Sequence, residues 1–362
     1  MSHRILVFPG GMPRAIAFAT QAKAEGREVI GASSLPHDPA REHYDTWATL
    51  PFVTDDAFHD ALADLVASMG IAAIFTPNPV VWNHLRNTMA TRHPGLRLLN
   101  ESPIDREMAP YRAADAFADS VLRAPLELPL GRAARPRLQK RQLAALFRHA
   151  ESLPGMCDHE KIRALCEVFR DVPSGDVVEI GTWWGKSAFI LDHLARWAGT
   201  GPTLCIDPWS AENLVQKDEK GLVDGTSVST DEAFEVFLAN LAPYARGTLN
   251  YLRLPADDAT SRHGPGALVE TPEFGATRYA GGIALLHVDG NHSYENAKSD
   301  VVNWAPKLID GGWLVLDDYI WPYGDGPKRV GDEFLADHAG RYDCAFVMGS
   351  ALFVRMGRAT SA

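Results

Sequence analysis

The chain has 362 residues, 46% hydrophobic and 22% charged, with 35 Lys and Arg against 46 Asp and Glu for a net charge of −11. Such a composition excludes wholesale disorder and, at roughly 150 residues per domain, points to two domains or slightly more. The acidic balance argues against a nucleic-acid partner, since phosphate backbones favour basic surfaces.

The N-terminal Met1-Ser2-His3-Arg4 leads directly into strand-like residues rather than a secretion signal, and no run approaches the ~18 apolar residues of a membrane span. Arg4-Ile5-Leu6-Val7-Phe8 is a short apolar run stopped by Pro9-Gly10-Gly11; residues 15–24 read as an Ala-rich helix that Gly26 ends. Residues 28–32 read as the next strand, 56–69 as a second helix, Ile71–Phe75 as a strand closed by Thr76-Pro77-Asn78-Pro79, and 96–99 as a fourth strand. Alternating β and α units predict a parallel sheet covered by helices, a Rossmann-like domain over residues 1–100. Residues 101–170 lack strand signals and read as a helical connector, with a Pro-rich break at 124–129 and a helix over 161–170. Its basic stretch (Arg132, Arg135, Arg137, Lys140, Arg141) suits a solvated helix face better than an anionic substrate.

From Asp176 the β–α rhythm resumes, with strands expected at 177–180, Thr203–Ile206, 249–254, Ile283–Val288 and 313–316. Two β-rich runs at 344–348 and 351–355, separated by Gly349-Ser350, predict a terminal antiparallel hairpin with a tight primed turn. The expected class is α/β, with five parallel strands finished by an antiparallel hairpin over 171–362. The four cysteines (Cys157, Cys166, Cys205, Cys344) form no CxxC pair, which speaks against structural zinc or a disulfide framework and fits a reducing cytoplasm.

Three motifs carry chemistry. Glu179-Ile180-Gly181 runs into Gly185-Lys186-Ser187, a strand, a glycine turn and a helix start whose free amides suit a polar ligand. The turn is one residue short of a phosphate-binding P-loop, and Trp183 spoils the dinucleotide spacing. Asp207 stands at the tip of the next strand, where an acid suits ribose hydroxyls, and Asp257-Asp258 follow the third strand in an adenine-facing region or as helix caps. Asp289-Gly290-Asn291-His292 follows one strand and Asp317-Asp318 ends the next. Three carboxylates on one rim repel unless a cation or shared protons neutralise them; oxygen ligands select Mg²⁺, or Mn²⁺ or Ca²⁺, over zinc.

With these motifs, residues 176–356 resemble class I S-adenosylmethionine-dependent methyltransferases, in particular the macrocin-type sugar O-methyltransferase and cephalosporin-hydroxylase-like branch. The resemblance implies a metal at Asp289, Asp317 and Asp318, and S-adenosylmethionine held by Glu179, Gly181, Gly185, Ser187, Asp207, Asp257 and Asp258. That branch often has an acid where this chain has Asn291, so His292 is the candidate base beside Asp289. The implied reaction is O-methylation of a hydroxylated, sugar-like small molecule, with homo-oligomerisation left open. Residues 1–100 more weakly resemble the domain that precedes ATP-grasp modules, yet no such module follows. A non-catalytic protein that keeps the cofactor fold and a nicotinamide-dependent oxidoreductase are the alternatives.

Overall fold

Alternating short apolar strands and amphipathic helices build one parallel and one mixed sheet in two units, divided between Arg112 and Ala113. The computed structural model describes residues 4–129, 134–214 and 229–357, so Arg132 lies outside the described residues. In the first unit, β1 (Arg4–Val7), β2 (Val29–Ser33), β3 (Thr46–Thr49), β4 (Ile71–Phe75) and β5 (Arg97–Leu98) pair in the order β3-β2-β1-β4-β5, all parallel. Helices α1 (Pro13–Ala24), α2 (Phe58–Met69) and α3 (Pro79–Arg92) accompany them. Strand β3 and helix α3 escaped the sequence reading. The first is a four-residue edge strand without alternation, and the second begins at a Pro that the turn Thr76–Pro79 had absorbed, with Asn78 capping Val80 and Val81.

The division falls within α4 (Pro103–Arg123), followed by α5 (Lys140–Ser152) and α6 (His159–Val168). Residues expected as a connector share the core of the second unit: Phe117, Val121, Leu146, Ile162 and Leu165 pack in one cluster with sheet residues Val177, Leu285 and Val315. Three residues of the basic stretch have partners in this unit, while Arg141 is exposed. Arg135 donates to the carbonyls of Ala198 and Val172, Arg137 pairs with Glu127 and Glu167, and Lys140 pairs with Asp115 and Asp119.

The second sheet contains β6 (Asp176–Ile180), β7 (Thr203–Ile206), β8 (Leu249–Leu252), β11 (Ile283–Val288), β12 (Leu308–Leu316), β13 (Tyr342–Met348) and β14 (Ala351–Met356). A small hairpin, β9 (Leu268–Thr271) with β10 (Gly275–Arg278), intervenes in the chain and was not anticipated. The strand order is β13-β14-β12-β11-β6-β7-β8; β12 through β8 run parallel, and β14 is antiparallel to both β12 and β13. Gly349, at φ +61°, is the first central residue of a two-residue turn between Met348 and Ala351, the position where a type II′ turn requires glycine. Helices α7 (Lys186–Ala198), α8 (Ala211–Leu214), α9 (Thr230–Leu241), α10 (Ala256–Ala259), α11 (Tyr294–Trp304) and α12 (Gly326–Asp337) complete the unit.

Both sheet faces are buried, so the strands read as continuous apolar runs. Val177, Cys205, Leu285 and Val315 face the α5–α7 layer; Val178, Ile180, Leu286, Val288 and Leu316 face α11 and α12. The two-residue period of a strand therefore sends Glu179, His287 and Asp317 to the α5–α7 side as each strand reaches its tip.

Candidate active site

The glycine loop that leaves β6 is held by a carboxylate on the neighbouring strand. Asp207 Oδ2 accepts the amides of Thr182 (3.0 Å) and Trp183 (2.9 Å), and Oδ1 accepts that of Trp209 (2.7 Å). The indole N–H of Trp209 donates to the Trp183 carbonyl at 2.9 Å. Trp183 (φ +47°) and Trp209 (φ +42°) both sit in the left-handed region, which bulky side chains avoid at a cost of roughly 1–3 kcal/mol each. Burial pushes the Asp207 carboxyl up from its ordinary value, against the three amides that favour its anion. A carboxylate offers about four acceptor sites, so three are committed to this loop and about one remains.

Gly181 (φ +81°) has a packing reason as well as a conformational one: a Cβ there would lie 2.0 Å from the Asp289 carbonyl oxygen. The β6 and β11 loops are thereby pressed together. Gly185 caps α7, Lys186 pairs with Glu151 at 2.9 Å, and Ser187 is buried in the first turn. Asp257 accepts Ser299 and Asn303 at 2.8 Å each and ties α10 to α11, whereas Asp258 is exposed in α10.

The acids at the tips of β11 and β12 do gather. Ligand atoms of Asp289, His292 and Asp318 lie within 4.8 Å of one another, as do those of His287, Asp289 and Asp317. Asp318 adopts φ +51°, which turns it away from its neighbour Asp317 and toward His292 Nε2 at 2.9 Å. His292 Nε2 is also 3.9 Å from Asp289, while its Nδ1 is buried without a hydrogen-bond partner among the described residues. Burial opposes charge on His292, but the Asp289 and Asp318 carboxylates raise its pKa to about 9. Burial and the nearby Asp317 raise Asp289 to about 7, against Lys161.

The sequence reading missed Lys161. It lies on α6, its side chain is 2% exposed, and its ammonium contacts Asp317 directly and Asp289 Oδ2 at 3.7 Å. Burial disfavours its charge; the surrounding Cys157, Asp317 and Asp289 outweigh this and hold the ammonium well above its ordinary value. Burial likewise opposes the Asp317 anion, yet Lys161 holds that carboxyl well below the usual range. Asp317 Oδ1 also accepts Ser350 Oγ and the Asp318 amide, each at 2.9 Å. Of the three acids expected to hold a metal, Asp317 is thus already paired with a cation and accepts two further donors. His287, equally buried, stands 3.0 Å from Glu179 and 3.8 Å from Asp317, and Glu179 Oε2 has no partner among the described residues. Glu179 and His287 are more than 100 residues apart in sequence, and only strand register reveals their pairing.

Comparison with known proteins supports this reading of the second unit. Residues 178–319 match a family described as a methyltransferase domain. A tetracenomycin-type rhamnosyl 4'-O-methyltransferase of Streptomyces olivaceus is 28% identical over 153 residues, 42% of this chain and 56% of the relative. The demethyldecarbamoylnovobiocin O-methyltransferase of Streptomyces niveus is 25% identical over 174 residues, 48% of this chain and 63% of the relative. The chain therefore spans less than two thirds of either relative's length. Among solved structures, the O-methyltransferase NovP aligns at 17% identity with a TM-score of 0.42, covering 70% of this chain and 99% of NovP. The matched residues 178–319 take in most of β6 and all of β7, β8, β11 and β12, the parallel part of the second sheet.

Proposed function

We propose that the protein is an S-adenosylmethionine-dependent O-methyltransferase of hydroxylated, sugar-like small molecules that uses one divalent cation, Mg²⁺ by preference. The observation that carries this reading is the convergence of Asp289, Asp318 and His292 beside the Gly181 loop, at the carboxyl end of the parallel strands where open α/β sheets bind ligands. The two relatives are named as O-methyltransferases of a rhamnosyl tetracenomycin and of demethyldecarbamoylnovobiocin, which supports a hydroxylated acceptor.

S-adenosylmethionine supplies an electrophilic methyl on a sulfonium leaving group. The Gly181–Gly185 turn and the α7 N-terminus would hold it, with the last acceptor site of Asp207 taking one ribose hydroxyl. The donor set also fits a hard cation: Asp289 and Asp318 offer carboxylate oxygens, and Mg²⁺ is commonly held by one or two carboxylates, the remainder being water and substrate. When bound there, the cation would lower the pKa of the acceptor hydroxyl and relieve the carboxylates' hold on His292. His292, in edge-to-face contact with Trp321 at 4.7 Å between rings, would accept the hydroxyl proton. The acceptor oxygen would take the methyl with the sulfonium sulfur as leaving group, and holding both reactants in line would account for as much as ~7–11 kcal/mol of the barrier in well-oriented cases.

The four cysteines are unpaired in the structure, and a cytoplasmic setting belongs to the same reading. No helix among the described residues is long and apolar enough to cross a membrane. The test is methyl transfer from S-adenosylmethionine to rhamnosylated and other glycosylated phenolic acceptors, with Mg²⁺ and with excess chelator. Transfer that is lost in chelator and restored by Mg²⁺ supports the proposal. Full activity on metal-free protein removes the cation from it.

A further inference from the structure

Lys161 is buried at the foot of the site, on a helix that belongs to none of the recognisable motifs. Its placement is over-determined. Asp158 caps α6 by accepting the Lys161 amide at 2.8 Å, and the same carboxylate packs against Gly349, where a Cβ would lie 2.4 Å from it. The next residue, Ser350, donates to Asp317. The first turn of α6, the β13–β14 turn and the tip of β12 are thus locked around one ammonium–carboxylate contact. Glu179, Asp289, Asp317 and Asp318 bring four carboxylates to this rim, and Lys161 is the lysine whose ammonium touches two of them. Removing one partner of such a buried pair leaves an uncompensated charge, a strongly unfavourable outcome.

We propose that Lys161 is a built-in cation of the carboxylate rim: it neutralises Asp317 and shares Asp289, so the cluster folds without a divalent ion and admits only one, at Asp289 and Asp318. The part concerning the divalent ion rests on the function proposed above; the part concerning Lys161 does not. Lys161 is thereby a positioning residue rather than a group that touches substrate.

The experiment compares the full-length wild type with Lys161→Met, by thermal melting in chelator and in Mg²⁺ and by titration with Mn²⁺ alone. The wild type should bind one Mn²⁺ per chain. Lys161→Met should melt lower in chelator, recover more on adding Mg²⁺ than the wild type gains, and bind Mn²⁺ at least tenfold more tightly because Asp317 is released. If the single variant does not fold, Lys161→Met with Asp317→Asn removes both charges together; it should fold, melt near the wild type in chelator and keep Mn²⁺ affinity within about threefold. A Lys161→Met protein that melts like the wild type in chelator, or binds Mn²⁺ no more tightly, overturns the proposal, as does failure of the paired variant to fold. Mn²⁺ binding by Lys161→Met but not by the wild type would support the role of Lys161 while removing the cation from the proposed function.

Discussion

Asp207 offers the most quantitative handle on the site. Its carboxylate holds three backbone amides and, through them, two tryptophans in left-handed backbone conformations. Asp207→Ala leaves those amides without their acceptor. At ~1–3 kcal/mol for each buried donor left unsatisfied, with partial relief from water entering the truncated space, the expected loss is about 3–5 kcal/mol. Asp207→Asn keeps one acceptor oxygen. If it stays with Thr182 and Trp183, the new amide faces the Trp209 N–H donor to donor, and the loss should be about 1–3 kcal/mol. Denaturant unfolding followed by near-ultraviolet circular dichroism would measure both, with the order wild type, Asn, Ala in falling stability. Affinity for S-adenosylhomocysteine should fall in the same order, because the loop and the ribose contact fail together. An Asp207→Ala protein within ~0.5 kcal/mol of the wild type would refute the claim that this carboxylate organises the loop.

Three further outcomes follow from the geometry. His292→Gln should reduce turnover at least a hundredfold, in keeping with general-base contributions of roughly 10²–10⁴, while leaving S-adenosylhomocysteine affinity unchanged in calorimetry; wild-type turnover would return the proton to another group. Asp318→Asn should weaken Mn²⁺ binding at least tenfold with little change in cofactor affinity, whereas equal loss of both would mean that the residue serves the fold. Burial raises the Asp192 carboxyl to about 7 against Arg196 and Thr248, so the folded state binds the proton more tightly than the unfolded chain and stability falls as pH rises from about 4 to about 7. Asp192→Asn should therefore gain stability over the wild type between pH 5 and pH 8 in thermal melts, and parallel pH curves for the two proteins would contradict the assignment.

The sheet of the second unit was legible because its strands are apolar on both faces and end at turn residues: Ile283–Val288 and Thr203–Ile206 match the expectation residue for residue. The terminal hairpin was legible from two β-rich runs separated by Gly349-Ser350, since few residues other than glycine fill that turn position. Strand β12 starts at Leu308, earlier than expected, because the Asp310-Gly311-Gly312 segment reads as a turn although it continues the strand. At the site, acids at strand tips could be found by position, but their division of labour could not. Asp317 and Asp318 are adjacent in sequence, yet one meets Lys161, 156 residues away, and the other is turned by a left-handed backbone toward His292. Likewise Asp207 looked like a ligand residue, and most of its acceptor capacity proved to hold the loop on which a ligand would rest.

The central claim, that the β6–β7 rim is an S-adenosylmethionine site, is tested most directly by isothermal titration of the full-length protein with S-adenosylhomocysteine, with NAD as the comparison, in the presence and absence of Mg²⁺. One S-adenosylhomocysteine per chain, weakened in Asp207→Ala, and no heat with NAD is the result expected. Saturable NAD binding without any S-adenosylhomocysteine binding would contradict the account and return the sheet to a nicotinamide-dependent function.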